Sequence, residues 1–525
     1  MKISRRSALK KVGTFLGSTA LLGIGSQDTL AKENAVKPKS KFDFSVRDYG
    51  AKGNGRSNDT KAINKTITAA AKAGGGQVIF PAGTYLCGSI HLKSNVSLFL
   101  GQGAVLEAID DPNSYDPAEP FEGDQFQDFG HSHWHNSFLW GEGLHDVAIL
   151  GPGMIYGKGL LRQEAEDESQ KGLGNKTIAL KNCRNVILKD FIIKHGGWFG
   201  ILATGVDNFT IDNLTIDTNR DGMDIDCCRN VRVSNCSVNS PRDDAICPKS
   251  SYALGYARAT QDVTITNCNV SGFKEGTLLD GTYQDLEPDE NSNPTGRIKF
   301  GTESNGGFKN ITISNCTFDH CRGIALETVD GGLLEDVTIS NITMRDIGNA
   351  PIFMRLGSRM RGPEGTPVGE LRRVNINNVV VHNADNKTGV LISGIPGHAI
   401  KDIKISNTRI NYEGGGTRED AAIEPPENAD HYPEPGMFGK MPSYGFYLRH
   451  VDGIEVTNAK LNYSDDEARP AFALENVADA DFRFIKAPHA ENAHTFSLNN
   501  VEDFRVFESQ ALSNASFDKI EQKKI

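Results

Sequence analysis

The stretch Asn219-Arg-Asp-Gly-Met-Asp-Ile-Asp-Cys-Cys-Arg-Asn-Val-Arg-Val-Ser-Asn-Cys-Ser-Val-Asn-Ser-Pro-Arg-Asp-Asp-Ala-Ile-Cys-Pro-Lys-Ser250 decides the fold. Two acidic groups, Asp221/Asp224 and Asp243/Asp244, flank one phrase that opens at Val231. The phrase alternates β-branched and polar residues, the mark of a half-buried strand. Similar phrases open at Val186, Phe209, Val263, Ile311, Val337, Val374, Ile403 and Ile454. Their spacing is 22–23 residues near the acids and 26–51 elsewhere. A fixed period with occasional stretching means stacked units with loops inserted on some of them. Four residues after most openers stands an Asn: Asn213, Asn235, Asn267, Asn315, Asn341, Asn378, Asn407 and Asn458. One residue type at one phase predicts a ladder of side-chain amides at a tight bend. Cys236, Cys268 and Cys316 follow their ladder Asn and are expected to stack as small buried hydrophobes.

These features predict an all-β chain, a single-stranded right-handed parallel β-helix over residues 42–515 with an N-terminal capping helix. Leucine-rich repeats need a Leu-x-x-Leu-x-Leu frame that is absent, and propeller blades need about twice the period. In a solenoid, groups one coil apart share a face, with strands about 4.8 Å apart. Asp221 is therefore expected to meet Asp243 and Asp244, with Asp224 close by. A single Asp-Gly is an ordinary turn; several acids in register on adjacent coils point to acid–base chemistry.

The chain has 525 residues, 55 of them Gly, and a formal net charge of −11. Residues 1–31 read as a targeting segment, with the twin-arginine pattern Ser4-Arg5-Arg6 ahead of a Gly/Ala/Leu-rich run. Export by the twin-arginine route, to a periplasm or beyond, is expected, with residues 32–41 as a linker. Loss of this segment takes the formal charge to about −15, which argues against nucleic acid as a partner. Nothing after residue 31 is apolar enough over a sufficient length to anchor in a membrane. Nine Cys, an odd number, read as mostly core thiols. No Cys-x-x-Cys or His-Glu-x-x-His occurs, so there is no structural-metal signature, and neither a metal nor another cofactor is expected. A monomer is the expected state.

A helix should begin near Asn58-Asp59-Thr60 and end at Gly74-Gly-Gly. It would close the solenoid's otherwise open end. Around it, Asp48-Tyr-Gly-Ala-Lys-Gly and Gly76-Gln-Val-Ile-Phe-Pro-Ala-Gly-Thr-Tyr resemble the shared N-terminal cap of the pectin-lyase-like superfamily. Further on, the stretch from Trp140 to Gly159, the Trp198 coil, Asn219-Arg-Asp-Gly-Met-Asp and Asp243-Asp244 resemble glycoside hydrolase family 28. That is the polygalacturonase family of inverting enzymes. The resemblance implies hydrolysis of a pectic or other acidic polysaccharide. It makes Asp243 the general acid, with Asp221 and Asp244 holding the attacking water.

The family's Asn-Thr-Asp is Asn219-Arg220-Asp221 in this chain. Its Gly-His-Gly is missing, and Phe300-Gly-Thr-Glu303 fills that coil. Arg297-Ile298-Lys299 stands earlier than the carboxylate-gripping Arg-Ile-Lys of the family. Asp224, Lys249, Arg297, Lys299, Glu303 and Arg355 are the candidate polar substrate contacts, Arg because it grips carboxylates bidentately. Insertions at 110–139, 272–296 and 411–447 are long enough to build a pocket and suggest exo action. They and the neighbouring coils bring Trp134, Trp198, Tyr432 and Tyr444 as possible stacking rings for sugars. His131, His133 and His135 have a spacing open to metal binding, though no carboxylate motif adjoins them. Two other readings share the fold. A polysaccharide lyase would use Asp221, Asp224 and Asp244 for Ca²⁺ and Lys249 or Arg297 as base. A non-catalytic carbohydrate-binding solenoid would use none of the acids chemically.

Overall fold

The computed structural model describes residues 42–128, 130–160, 175–287, 293–490, 493–510 and 512–525. The export segment and linker expected over 1–41 lie outside them. The chain from Phe42 onward is a right-handed parallel β-helix. Alternating Val and Ile of the repeat phrases all turn inward: Val231, Val263, Ile311, Val337, Val374, Ile403 and Ile454 are each about 1% exposed. Register runs straight through the coils, Val231 against Val263, Val263 against Ile311 and Ile311 against Val337. Burying such a side chain is worth roughly 1.5–3 kcal/mol, and repetition along the stack makes this the main support of the fold. Among the described residues no helix is long and apolar enough to cross a membrane.

The amide ladder forms along the outside, and its eight Asn all adopt positive φ. Asn341 donates to Asn315 at 3.0 Å, Asn378 to Asn341 at 2.8 Å and Asn458 to Asn407 at 2.7 Å. Some steps use a neighbour instead: Asn213 donates to Asp190, Asn235 to Asp212 and Asn407 to Asn377. Asn tolerates the left-handed conformation at low cost, which explains why it holds this bend. A second column at another corner, Asn230 to Asn208 to Asn185 to Asp146, was not foreseen. All nine cysteines are buried free thiols.

Helix α1 (Thr60–Lys72) caps the first coil through Ile63, Thr66, Ile67 and Ala70. Asp59 ties the cap together by accepting from the Lys52 and Gly53 amides at 2.7 and 2.8 Å. The other end, beyond the predicted limit of 515, is closed too. Residues Ala515–Lys524 form an antiparallel strand on Phe496–Phe507 and cover the last coil. Phe504 and Phe517, whose ring centroids lie 6.4 Å apart, join the two strands.

One face of the solenoid positions the acids. Its strands are β1 (Ile90–His91), β2 (Leu139–Glu142), β3 (Lys176–Lys181), β4 (Phe199–Thr204), β5 (Asp221–Asp226) and β6 (Ile246–Lys249), stacked in parallel. The face continues through β7 (Lys299–Phe300), β8 (Ile324–Thr328) and β9 (Ile352–Leu356).

Candidate active site

Asp221 opens β5 and Asp224 sits within it, while Asp243 and Asp244 end the turn that leads into β6. Met223 pairs with Ile246, and the Gly222 amide donates to the Asp244 carbonyl at 2.9 Å. Asp244, rather than Asp243, is thus the register mate of Asp221. Gly222 permits this close step, because a Cβ there would collide with the Ala245 carbonyl and a Val238 methyl. The Asp244 amide donates to Asp221 at 3.2 Å and to Asp243 at 3.1 Å. One carboxylate oxygen from each of Asp221, Asp243 and Asp244 lies within 4.8 Å of the others. Inverting pairs typically stand about 6.5–9.5 Å apart, a wider spacing than these nearest oxygens show.

The surroundings drive these acids apart. Burial pushes the Asp221 carboxyl well above its ordinary range, and the charges of Asp224 and Asp243 push the same way. Burial also works to raise Asp244, but Lys299, Arg297 and Lys249 outweigh it and hold that carboxyl well below the usual range. The contacts are short: Arg297 Nε donates to Asp244 at 2.8 Å, and Lys299 Nζ lies 3.3 Å from its other oxygen. Asp243 is about a quarter exposed, at the edge of the cluster, with Arg220 at 2.7 Å. The Arg220 guanidinium also lies 4.1 Å over the Trp198 ring.

Arg297 and Lys299 therefore do reach the acids, as the sequence reading allowed. Arg297 also holds Glu434 of the 411–447 loop with both terminal nitrogens, and Arg322 adds a contact to Glu434 at 3.2 Å. Tyr432 of the same loop accepts from Lys299 at 3.1 Å and is half exposed, so it remains a candidate ring for a sugar. Lys249 lies 3.3 Å from Glu303 and 3.8 Å from Asp224. Burial works to lower the Lys249 ammonium, but Asp224 above all, with Glu303 and Asp221, raises it well beyond the ordinary lysine range.

Among the described residues, two donor sets are compact enough to hold one cation: His131 with Asp221 and Asp224, and Asp221 with Asp243 and Asp244. In each, protein cations already balance the acids, Lys249 in the first and Arg297 with Lys299 in the second.

Two family models match the chain: "Rhamnogalacturonase A/epimerase, pectate lyase-like" over residues 44–140 and "Right handed beta helix region" over 165–291. A probable polygalacturonase of Vitis vinifera is 26% identical over 370 residues, 65% of this chain and 74% of that protein. The family 28 exopolygalacturonase of Yersinia enterocolitica superposes with a TM-score of 0.63 at 19% identity, covering 85% of this chain and 79% of that one. The exopolygalacturonase of Thermotoga maritima gives a TM-score of 0.57 at 17% identity, covering 93% and 96%. The chain is thus similar in sequence to polygalacturonases and shares the right-handed parallel β-helix of the two exopolygalacturonase structures.

In this polygalacturonase-like β-helix several expected substrate contacts turn out to be internal. Trp134 is fully buried, with Lys181 over its ring at 4.2 Å and its Nε1 donating to Thr204 at 3.3 Å. It fastens the 110–139 insertion to the coil. Tyr444 is likewise buried, its hydroxyl donating to the Pro488 carbonyl at 2.7 Å. Arg355 points away from the acids and donates to Ser393 and to the carbonyls of Gly394, Glu427 and Asn428. Its donors staple the 411–447 loop, so it is not the anion grip. Glu303 is fully buried; burial raises its carboxyl, but Lys249, His131 and Arg359 more than reverse this and keep it ionised.

The histidine trio separates. His133 meets Ser132, and His135 stacks on Trp140 at 4.0 Å. His131 alone reaches the acids, its Nε2 3.3 Å from Asp224 and its Nδ1 3.9 Å from Glu303. Sequence reasoning missed His131, Arg220 and Glu434 as members of the cluster. The missing Gly-His-Gly was a usable signal that an imidazole had to come from elsewhere.

Proposed function

We propose that this chain hydrolyses glycosidic bonds in a pectic polysaccharide, working from a chain end and with inversion at the anomeric carbon. The observation that carries the reading is the convergence of Asp221, Asp243 and Asp244, with Asp221 and Asp244 pushed toward opposite protonation states. Acid and base roles are assigned where environments push carboxyls apart. Asp244, kept ionised by Arg297 and Lys299, positions and deprotonates the water. Asp243, the most exposed of the three, gives its proton to the leaving oxygen. Substrate entry must then part it from Arg220. Asp221 stores a proton within reach of both.

The close spacing of the acids does not itself speak for inversion, which rests on the resemblance to family 28. Exo action is supported by the way the 411–447 loop sets Tyr432 and Glu434 beside the cluster. The lyase alternative fares less well, because a base must lose its proton. The charged neighbours of Lys249 and Arg297 push both well above their ordinary ranges, overcoming the opposite effect of burial.

A second reading makes Asp221 the donor, since its carboxyl is the one kept protonated. Digestion of pectic and sulfated algal polysaccharides, with product sizing, tests the main proposal. Small saturated products from the chain end are expected. Unsaturated products, or none, would overturn it. Comparing Asp243→Asn with Asp221→Asn separates the two donor readings.

A further inference from the structure

The cations around the acids look suited to a substrate carboxylate, yet each is already matched by a protein carboxylate. Arg220 pairs with Asp243, Lys249 with Glu303 and Lys299 with Asp244. Arg359 pairs with Asp330 at 2.6 Å and Arg361 with Asp128. Arg297 and Arg322 converge on Glu434.

This last pairing differs from the rest. The other partners stand on the coils or on the 110–139 insertion, whereas Glu434 is brought in by the 411–447 loop. Both terminal nitrogens of Arg297 meet the two oxygens of Glu434, the fork-on-carboxylate geometry a bound uronate would make. Arg297 is 2% exposed while Glu434 is about a quarter exposed. Of this pair, a ligand arriving from solvent therefore meets the carboxylate before the guanidinium. Glu434 also lines a hollow of about 410 Å³ with Arg322, Asn349, Asp385 and Lys387, so the Arg322–Glu434 pair is open to a ligand on that side.

We propose that Glu434 sets the substrate specificity of this cleft: it occupies the arginine fork that a uronate carboxylate would take, so the sugar bound against it is uncharged. Esterified uronate units and neutral sugars of a pectic chain fit, and the free acid is rejected by like charge. The inference rests on the hydrolase reading above and names its substrate class. It uses repulsion as well as attraction, as specific sites commonly do. A free carboxylate would have to displace Glu434 from two guanidinium groups or sit beside it.

The test compares initial kcat/KM on three probes: oligogalacturonate, the same oligomer fully methyl-esterified, and a rhamnogalacturonan oligomer that alternates neutral and acidic units. Wild type should cleave the ester or the alternating oligomer at least about tenfold faster than the free acid, the scale of a like-charge contact. Glu434→Gln keeps the shape and removes the charge, and should shrink that ratio about tenfold by gaining on the free acid. The wild-type ratio needs no variant to fold, so a preference for the free acid overturns the inference by itself. An unchanged ratio in a folded Glu434→Gln overturns it while leaving the hydrolase reading intact. No cleavage of any probe by wild type would sink the pectic hydrolase reading, and this inference with it.

Discussion

Glu327, the buried neighbour of Lys299 at 3.9 Å, gives the most direct readout of how single residues in the cluster are held. Burial raises its carboxyl to about 8, although Lys299 and Arg297 oppose the rise. An unfolded Glu titrates near 4.3, so the folded state binds this proton more tightly. Its contribution to stability is full below about pH 4 and is lost as pH rises through about 8. Glu327→Gln should therefore flatten the fall in melting temperature between roughly pH 5 and 8.5; parallel curves for variant and wild type would contradict this assignment. At this scale the sequence was legible only in part. Asp221, Asp243 and Asp244 could be placed together because a period of about one coil fixes neighbours. Glu434, Arg220 and His131 could not, because their positions depend on loop packing and on a pairing between side chains. Arg355 illustrates the converse: an Arg on the right face was legible, but not that loop carbonyls take its donors.

Single strands and their bends carry the stability, and the amide ladder makes this measurable. Asn341 donates to Asn315, accepts from Asn378 and adopts a φ of 57°. Asn341→Ala removes two hydrogen bonds, each worth about 0.5–1.5 kcal/mol, and leaves in the left-handed conformation a residue without the polar side chain that lets Asn tolerate it, at roughly 1–2 kcal/mol. Asn341→Gly loses the bonds but not the conformation. Denaturant unfolding should rank wild type above Gly and Gly above Ala; equal losses would mean that the bend is not strained. Loop anchoring gives a second test. Arg355→Gln should free the 411–447 loop, speed its cleavage by limited proteolysis and lower activity, with little change in the melting of the solenoid. Unaltered proteolysis would show that the other contacts of the loop suffice. The phases of strand and ladder were legible because apolar and Asn positions repeat. The second ladder, through Asn185, Asn208 and Asn230, escaped because Asp146 replaces Asn at its start and its residues precede the strand phrases.

For the molecule as a whole, both ends of the solenoid need closing, and the sequence revealed only one. Helix α1 was marked by an apolar face and glycines, whereas Ala515–Lys524 is rich in charge and offers few apolar residues, Phe517 and Ile520 among them. Its strand character comes from pairing with Phe496–Phe507, a tertiary effect. Deleting residues 514–525 should expose that edge and lower the melting temperature with new light scattering, since bare edges recruit other chains; a monodisperse truncation of unchanged melting would argue that the strand is dispensable. The acids, by contrast, lie mid-solenoid, with coils on both sides of them, a fixed setting that the proposed acid–base chemistry requires. The most direct measurement of that chemistry is the turnover of Asp243→Asn beside wild type on the polysaccharide that wild type degrades, with melting curves for both. Loss of the proton donor should cut kcat by roughly 10²–10⁴-fold with melting unchanged, whereas near-normal turnover by a folded Asp243→Asn would contradict the assignment.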